Sequence, residues 1–319
     1  MVDVILFGEP MALFAAKEEG ALEEATTFKR MLAGAEVNVS IGLTRLGFDV
    51  LYATRLGTDP FGDYIEKKLK QEGIRTNIVR DRYHPTGFQW KNHVLKGDPS
   101  TYYLRKNSAA SCLTEEDVNA IDFTGAKLLH ITGILPALSL SSRNAVYRMI
   151  EKAREHHMMV SFDPNLRPSL WESESAMIRV INDLASKSDI VLPGTAEGKI
   201  LMGSDDPEEI GRFYQEAGAK LVVVKLGAEG AYGVMKREDG TVEQGYFKGY
   251  PAKTVVDTVG AGDGFAVGVL STFLEGGCLE KMCDRGNIIG SMQVMVESDN
   301  EDLPTREEIA QFKASFTQQ

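Results

Sequence analysis

Asp257-Thr-Val-Gly260-Ala-Gly262-Asp263-Gly264-Phe-Ala-Val-Gly268-Val-Leu270 carries the most specific chemistry in the sequence. A β-branched segment, Thr254-Val255-Val256, runs into a turn of small residues. A helical pattern follows, with an apolar face through Phe265, Val269, Phe273 and Leu274. Small residues at a helix start let the backbone approach a ligand. The free N–H groups there, with the positive end of the helix dipole, favour an anion. Asp263 falls in that first turn, where the dipole predicts an ionised carboxylate. Such a group can take the proton of an attacking hydroxyl while the amides of Gly260, Ala261 and Gly262 hold charge building on a phosphoryl group. The plainer alternative is a tight turn with Asp263 as a cap. The order of the motif and the small residues at 264, 266 and 268 favour the chemical reading.

The 319 residues can bury a large core as one α/β domain with a small appendage. A net charge of −11 argues against a general nucleic-acid binder. It leaves room for an anionic substrate, since a few arginines set the field inside a cleft. Cys112, Cys278 and Cys283 form neither a CxxC pair nor a disulfide framework and read as reduced thiols. Met1 leads straight into Val-Asp-Val-Ile-Leu-Phe, so no secretory leader is expected. No run of about 18 apolar residues occurs, so no membrane span is expected and a cytoplasmic protein is.

Residues 2–7 read as a buried strand ending at Gly8-Glu9-Pro10, and no GxGxxG follows, which argues against a dinucleotide site. Ala33-Gly34-Ala35-Glu36-Val37-Asn38-Val39-Ser40 opens a helix that stops at Gly47. From about residue 109 strands and helices alternate as in a doubly wound, mainly parallel sheet. Strands are expected at 127–132, 158–163, 190–193 and 221–225, helices at 142–156, 207–217 and 305–316. Residues 11–33 and 77–108 show short strand-like segments and are expected to form a small β-sheet. The core would then comprise 1–10, 34–76 and 109–319. There is no internal repeat and no linker.

The motif at 257–263, the Gly34–Asn38 block and Gly57-Thr58-Asp59-Pro60-Phe61-Gly62-Asp63 together resemble the ribokinase-like (PfkB-type) carbohydrate kinases. The two signatures stand in the right order, more than two hundred residues apart, and the resemblance covers essentially the whole chain. It implies the ribokinase-like fold with the small sheet as a lid that keeps water from the transfer step. It also implies ATP and Mg²⁺ and Asp263 as catalytic base, and leaves open whether a monovalent cation is required. Gly34 and Asn38 would face sugar hydroxyls, where the plain readings are a turn and a surface polar residue.

Lys225-Leu-Gly227-Ala-Glu-Gly230-Ala-Tyr-Gly233 looks like the family's nucleotide-side loop, with a simple hairpin as the alternative. Lys225, Gly227 and Gly230 are its candidate contacts, with Asn287 on a late helix. Gly194-Thr-Ala-Glu197-Gly198-Lys199-Ile200 is one residue short of a P-loop and ends in Ile, so it lacks the metal-binding hydroxyl. It better resembles the family's Asn-x-x-Glu motif. Glu197 matches and would act on Mg²⁺ through water, while Gly194 stands where the asparagine usually is.

Asp163-Pro164-Asn165-Leu166-Arg167 begins at the C-terminal end of an expected strand, where ligands bind in open α/β sheets. With Arg105 on the lid, Arg167 makes a second guanidinium suited to a carboxylate or phosphate, where the plain reading is a surface ion pair. This pattern resembles family members acting on 2-keto-3-deoxygluconate, as do Gly8-Glu9-Pro10-Met11 and Ser298-Asp299-Asn300. The resemblance implies substrate contacts by Gly34, Asn38, Tyr103, Arg105, Arg167 and Asp299, and by one of Phe88, Gln89 and Trp90. The expected activity is ATP-dependent phosphorylation of the 6-hydroxyl of that acid. The rivals are a fructokinase or other sugar kinase of the same fold and a sugar-acid-binding protein without turnover. A dehydrogenase is the third, and it lacks its fingerprint. An exposed lid edge would offer a pairing surface for a second subunit.

Overall fold

The computed structural model describes residues 1–94, 99–237, 239–296 and 300–317. Its strands are β1 (Val4–Phe7), β2 (Met11–Glu19), β3 (Phe28–Ala33), β4 (Val50–Gly57), β5 (Arg75–Asp81), β6 (Phe88–His93) and β7 (Thr101–Leu104). They continue with β8 (Leu128–Thr132), β9 (Met159–Asp163), β10 (Ile190–Val191), β11 (Leu221–Lys225), β12 (Gly230–Lys236) and β13 (Val242–Lys248). Nine strands form one sheet in the order β13-β12-β11-β10-β9-β8-β1-β4-β5. Neighbours from β11 to β5 run parallel, and β12 and β13 add an antiparallel hairpin at one edge.

Strands buried on both faces explain the continuous apolar runs of the sequence. Along β1, Ile5 and Phe7 enter one core cluster while Val4 and Leu6 enter the other, on opposite faces of the sheet. The chain leaves β1 for β4 and β5, then crosses back to β8 and continues away to β11. The reversal beside β1 opens a crevice at the C-terminal strand ends.

The second sheet has the order β3-β2-β6-β7 and mixed pairing, with β2 parallel to β6. Residues 77–81, placed by sequence in the lid, lie in β5, which pairs with β4 in the large sheet. The alternation of the lid strands separates its two faces. On one, Phe14 and Phe88 each bring their rings to 5.4 Å from Phe61 at the start of the helix Pro60–Gln71, and Trp90 stacks on Tyr102. Gln89 and Tyr103, paired across β6 and β7, turn to the other face.

The helix Ala261–Leu274 is buried over most of its length. It packs closely on its neighbours because side chains are missing at the crossings. A Cβ at Gly268 would lie 2.4 Å from the Gly286 nitrogen, and one at Gly42 would lie 2.5 Å from Val267. Gly268 and Gly42 thus let the helices Leu279–Gln293 and Ala35–Arg45 pack closely on the middle of this helix.

Candidate active site

A cleft of about 380 Å³ lies where the strand ends of the large sheet meet the inner face of the lid. This size suits a small ligand. Gly34 enters it at φ +138°, and a Cβ there would meet the Glu9 carbonyl oxygen at 2.8 Å, so glycine is required. Asn38, one turn into the helix Ala35–Arg45, then reaches the cleft floor.

Asp263 stands at that floor on the first turn of Ala261–Leu274. Gly260 precedes the helix at φ +80°, a left-handed turn that aims the first N–H groups at the cleft. Ala261 N–H leans toward Thr258 O at 3.4 Å, while those of Gly262 and Asp263 meet no acceptor among the described residues. Asn38 Nδ2 donates to Asp263 Oδ2 at 2.7 Å, and Asn165 Nδ2 lies 3.5 Å from Oδ1. The expectation of a firmly ionised Asp263 needs correction. Burial pushes its carboxyl up to about 7 and the charge of Asp163 adds to this, against the Asn38 hydrogen bond and the charges of Lys225 and Arg167.

Lys225, at the end of β11, donates to both oxygens of Asp163 at 2.9 and 2.7 Å. Burial alone would lower the lysine pKa, but the charges of Asp163 and Glu197 outweigh it and raise the value. Glu197 accepts from Leu166 N–H at 2.9 Å and Gly194 N–H at 2.7 Å, and burial raises its pKa against the pull of Lys225. One ammonium therefore compensates a cluster of carboxylates beside the Gly260–Gly262 turn.

At the lid end, Arg105 donates through Nε and Nη2 to Glu9 Oε2 at 2.7 and 2.5 Å, and both side chains are buried. Glu36 lies beside this pair. Burial pushes it up to about 7 against the hydrogen bond from Thr132, whose hydroxyl is 2.6 Å away. The sequence reading took Arg105 as open for a substrate acid, but much of its charge is spent on Glu9. Arg105→Ala should therefore destabilise the protein by about 3–5 kcal/mol even without ligand, because it strands a buried carboxylate. Denaturant unfolding with an unchanged midpoint would refute that. Arg167 is different. It donates to the carbonyls of Asn165 and Leu166 at 3.4 and 2.9 Å, and among the described residues no carboxylate lies within ion-pair distance.

Of Phe88, Gln89 and Trp90, only Gln89 lines the cleft, next to Tyr103. Gly227, Gly230 and Asn287 do not line it. The two glycines flank the turn beside a separate cavity of about 520 Å³ lined by Thr195, Leu226, Glu229, Tyr246, Phe247 and Lys248. Asn287 Nδ2 donates to the carbonyls of Phe247 and Lys248, both at 3.0 Å, tying its helix to β13. Asp299 lies outside the described residues. The sequence reading missed Glu9, Glu36, Asp163 and Asn165 as cleft residues. Elsewhere, Asp81, His84 and Cys112 bring ligand atoms within 4.8 Å of one another. Asp81 Oδ2 is already shared by Arg55 at 3.2 Å and His84 at 2.9 Å, which makes a metal there redundant.

The pattern of the pfkB family carbohydrate kinases matches residues 1–306. The chain belongs to that family. A 2-dehydro-3-deoxygluconokinase of Bacillus subtilis (strain 168) is 46% identical over 313 residues, covering 98% of this chain and 95% of the relative. One from Thermoproteus tenax is 33% identical over 312 residues, covering 97% and 93%. The solved structure of a PfkB protein from Polaromonas sp. JS666 superposes with a TM-score of 0.86 at 46% identity, covering 97% of this chain and 99% of that one. Family membership makes the small sheet the lid of a ribokinase-like fold and the cleft beneath it the place to seek a carbohydrate. As in the sequence reading, no helix among the described residues is long and apolar enough to cross a membrane.

Proposed function

We propose that this kinase transfers the γ-phosphoryl group of ATP to the 6-hydroxyl of 2-keto-3-deoxy-D-gluconate (2-dehydro-3-deoxygluconate), giving 2-keto-3-deoxy-6-phosphogluconate. The carrying observation is a single cleft that holds both a base-like Asp263 and a guanidinium, Arg167, whose polar contacts are only backbone carbonyls. The name of the 46%-identical Bacillus subtilis relative points to the same acid. A guanidinium with no carboxylate within ion-pair distance among the described residues suits a substrate carboxylate, whereas a neutral sugar offers it acceptors but no opposite charge.

In this reading Arg167, with what charge Glu9 leaves to Arg105, orients the acid end. Gly34, Asn38, Gln89 and Tyr103 meet the hydroxyls, and the far hydroxyl lies against Asp263. As its oxygen bonds to the γ-phosphorus, the bond from that phosphorus to the bridging oxygen breaks and ADP leaves with the electron pair. Asp263 accepts the hydroxyl proton. A pKa near working pH suits a general base, and a weak base suffices where transfer of the proton lags in a loose transition state. The N–H groups of Gly260 and Gly262 and the Lys225 ammonium hold the charge of the moving group. The nucleotide would run past Gly227 and Gly230 toward the cavity by Phe247.

Both oxygens of Asp163 are engaged by Lys225 and each oxygen of Glu197 by a backbone N–H. These carboxylates suit Mg²⁺ held through its water shell, which Mg²⁺ keeps readily. Bound there with ATP, the metal would neutralise phosphate charge.

Arg167→Ala should raise KM for the keto-deoxy acid roughly 10- to 150-fold, the value of one hydrogen bond to a charged group of about 1.5–3 kcal/mol. It should leave KM for ATP within a few-fold. Steady-state kinetics on purified wild type and variant decide this, and an unchanged KM for the acid would remove the carboxylate contact from the proposal.

A further inference from the structure

We propose that Asn300 is a positioning residue for phosphoryl transfer. It holds Asn38 with its amide NH₂ toward Asp263 and ties that orientation to the lid. This rests on the reading of Asp263 as the base. Asn300 is buried and lies near the C-terminal end of the chain, far in sequence from the groups it orders. Its Nδ2 donates at 2.8 Å to the backbone carbonyl of Leu32, on lid strand β3, and at 2.8 Å to Asn38 Oδ1. Asn38 Nδ2 then donates to Asp263 Oδ2 at 2.7 Å.

The polarity of this relay is fixed at its far end. The Leu32 carbonyl can only accept, so Asn300 must present its NH₂ there. That same NH₂ claims the side-chain oxygen of Asn38, which leaves only the Asn38 NH₂ for Asp263. Turning Asn38 over would set two NH₂ groups together at one end and two oxygens at the other. Asn38 is thus a donor by construction, and a donor favours the carboxylate over the carboxylic acid. Asn300 is itself held in place. Arg45 Nη1 reaches the carbonyls of Asn300, Glu301 and Leu303 at 3.3, 2.8 and 2.8 Å, while its other nitrogens grip Glu72 at 3.1 and 3.0 Å. The other charged groups acting on Asp263 are Asp163 and Lys225 at the ends of β9 and β11, and Arg167 in the loop after β9. The relay contacts described here do not involve any of these three.

The test is a ¹³C carboxyl titration of Asp263 in the ligand-free full chain, with the resonance assigned by its loss in Asp263→Asn. It is read beside the pH profile of kcat/KM. Asn300→Leu, similar in volume but without a donor, should move the Asp263 midpoint upward by about 1 pH unit. The acid limb of the rate profile should move with it. Asn300→Asp, which can only accept, should move both further, by drawing the Asn38 NH₂ to itself. In an Asn38→Ala background the Asn300 change should add nothing, because its effect passes through Asn38. Should Asn300→Leu fail to fold, Asn300→Ala takes its place. An unmoved midpoint in a folded variant would overturn the proposal, as would a full-sized shift in the Asn38→Ala background. Absence of turnover on the sugar acid by the wild type would sink the substrate reading, while the titration would still decide the role of Asn300.

Discussion

Asp263→Asn is expected to lower kcat by at least ~10²-fold while leaving ATP binding intact, since it removes the proposed base and keeps the Gly260–Gly262 turn. The wild-type pH profile should show the same group. The base works only when ionised, and burial pushes the Asp263 carboxyl up to about 7. Activity should therefore rise with pH through about 7 and fall on the acid side. Stability runs the other way. A carboxyl whose folded pKa exceeds its unfolded value binds more protons when folded, so its favourable contribution is complete below about 4. It is lost as pH rises to about 7. Asp263→Asn carries no such penalty. The Tm of the variant should equal or trail the wild type near pH 4 and gain on it as pH rises to 8. Near-normal turnover, or a Tm difference independent of pH, would contradict the role and the environment respectively.

Lys225→Met should be as damaging, by a different route. The ammonium is the charge that compensates Asp163 and Glu197, and it also pulls the Asp263 value down. Removing one partner of a buried cluster costs about 3–5 kcal/mol. The expected result is an unfolding midpoint shifted by that amount in a denaturant titration. The residual activity should have its acid limb moved to higher pH. Lys225→Arg should recover most of the stability, because it restores a cation. A Met variant as stable as the wild type would mean that the carboxylates are compensated by other groups.

These two expectations differ in how far the sequence alone could reach. Asp263 and its glycines are contiguous, so a local pattern of strand, turn and helix exposes them. The ionisation of Asp263 was misjudged because the helix dipole is worth only about 0.3–1 kcal/mol. Moving a carboxyl from about 4 to about 7 takes several times that, and burial supplies it through packing that no local window contains. The ion pairs Glu9–Arg105 and Asp163–Lys225 join residues 96 and 62 positions apart and were not legible as pairs. A signal was present nonetheless. Glu36 stands between Ala35 and Val37 at a helix start, and Glu9 follows the apolar strand Val4–Phe7 by two residues, which are poor places for unpaired acids.

The parallel strands were legible because burial on both faces leaves uninterrupted apolar runs, as at 4–7 and 221–224. The place of β5 was not, since Arg75–Asp81 is an edge strand of the large sheet, and its half-buried residues fit an edge of either sheet. Alternation across 88–90 narrowed the lid contact to one face or the other. Choosing Gln89 required knowing that Phe61 packs under Phe88.

The most direct measurement is ATP consumption by the purified protein with Mg²⁺ against 2-keto-3-deoxygluconate, fructose, ribose and gluconate, with the product phosphate located by ³¹P NMR. A kcat/KM for the keto-deoxy acid well above the others, with phosphorus on the 6-oxygen, is the expected result. A preference for fructose, unchanged by Arg167→Ala, would contradict it and leave the fold, Asp263 and the anion-binding turn to a kinase of neutral sugars.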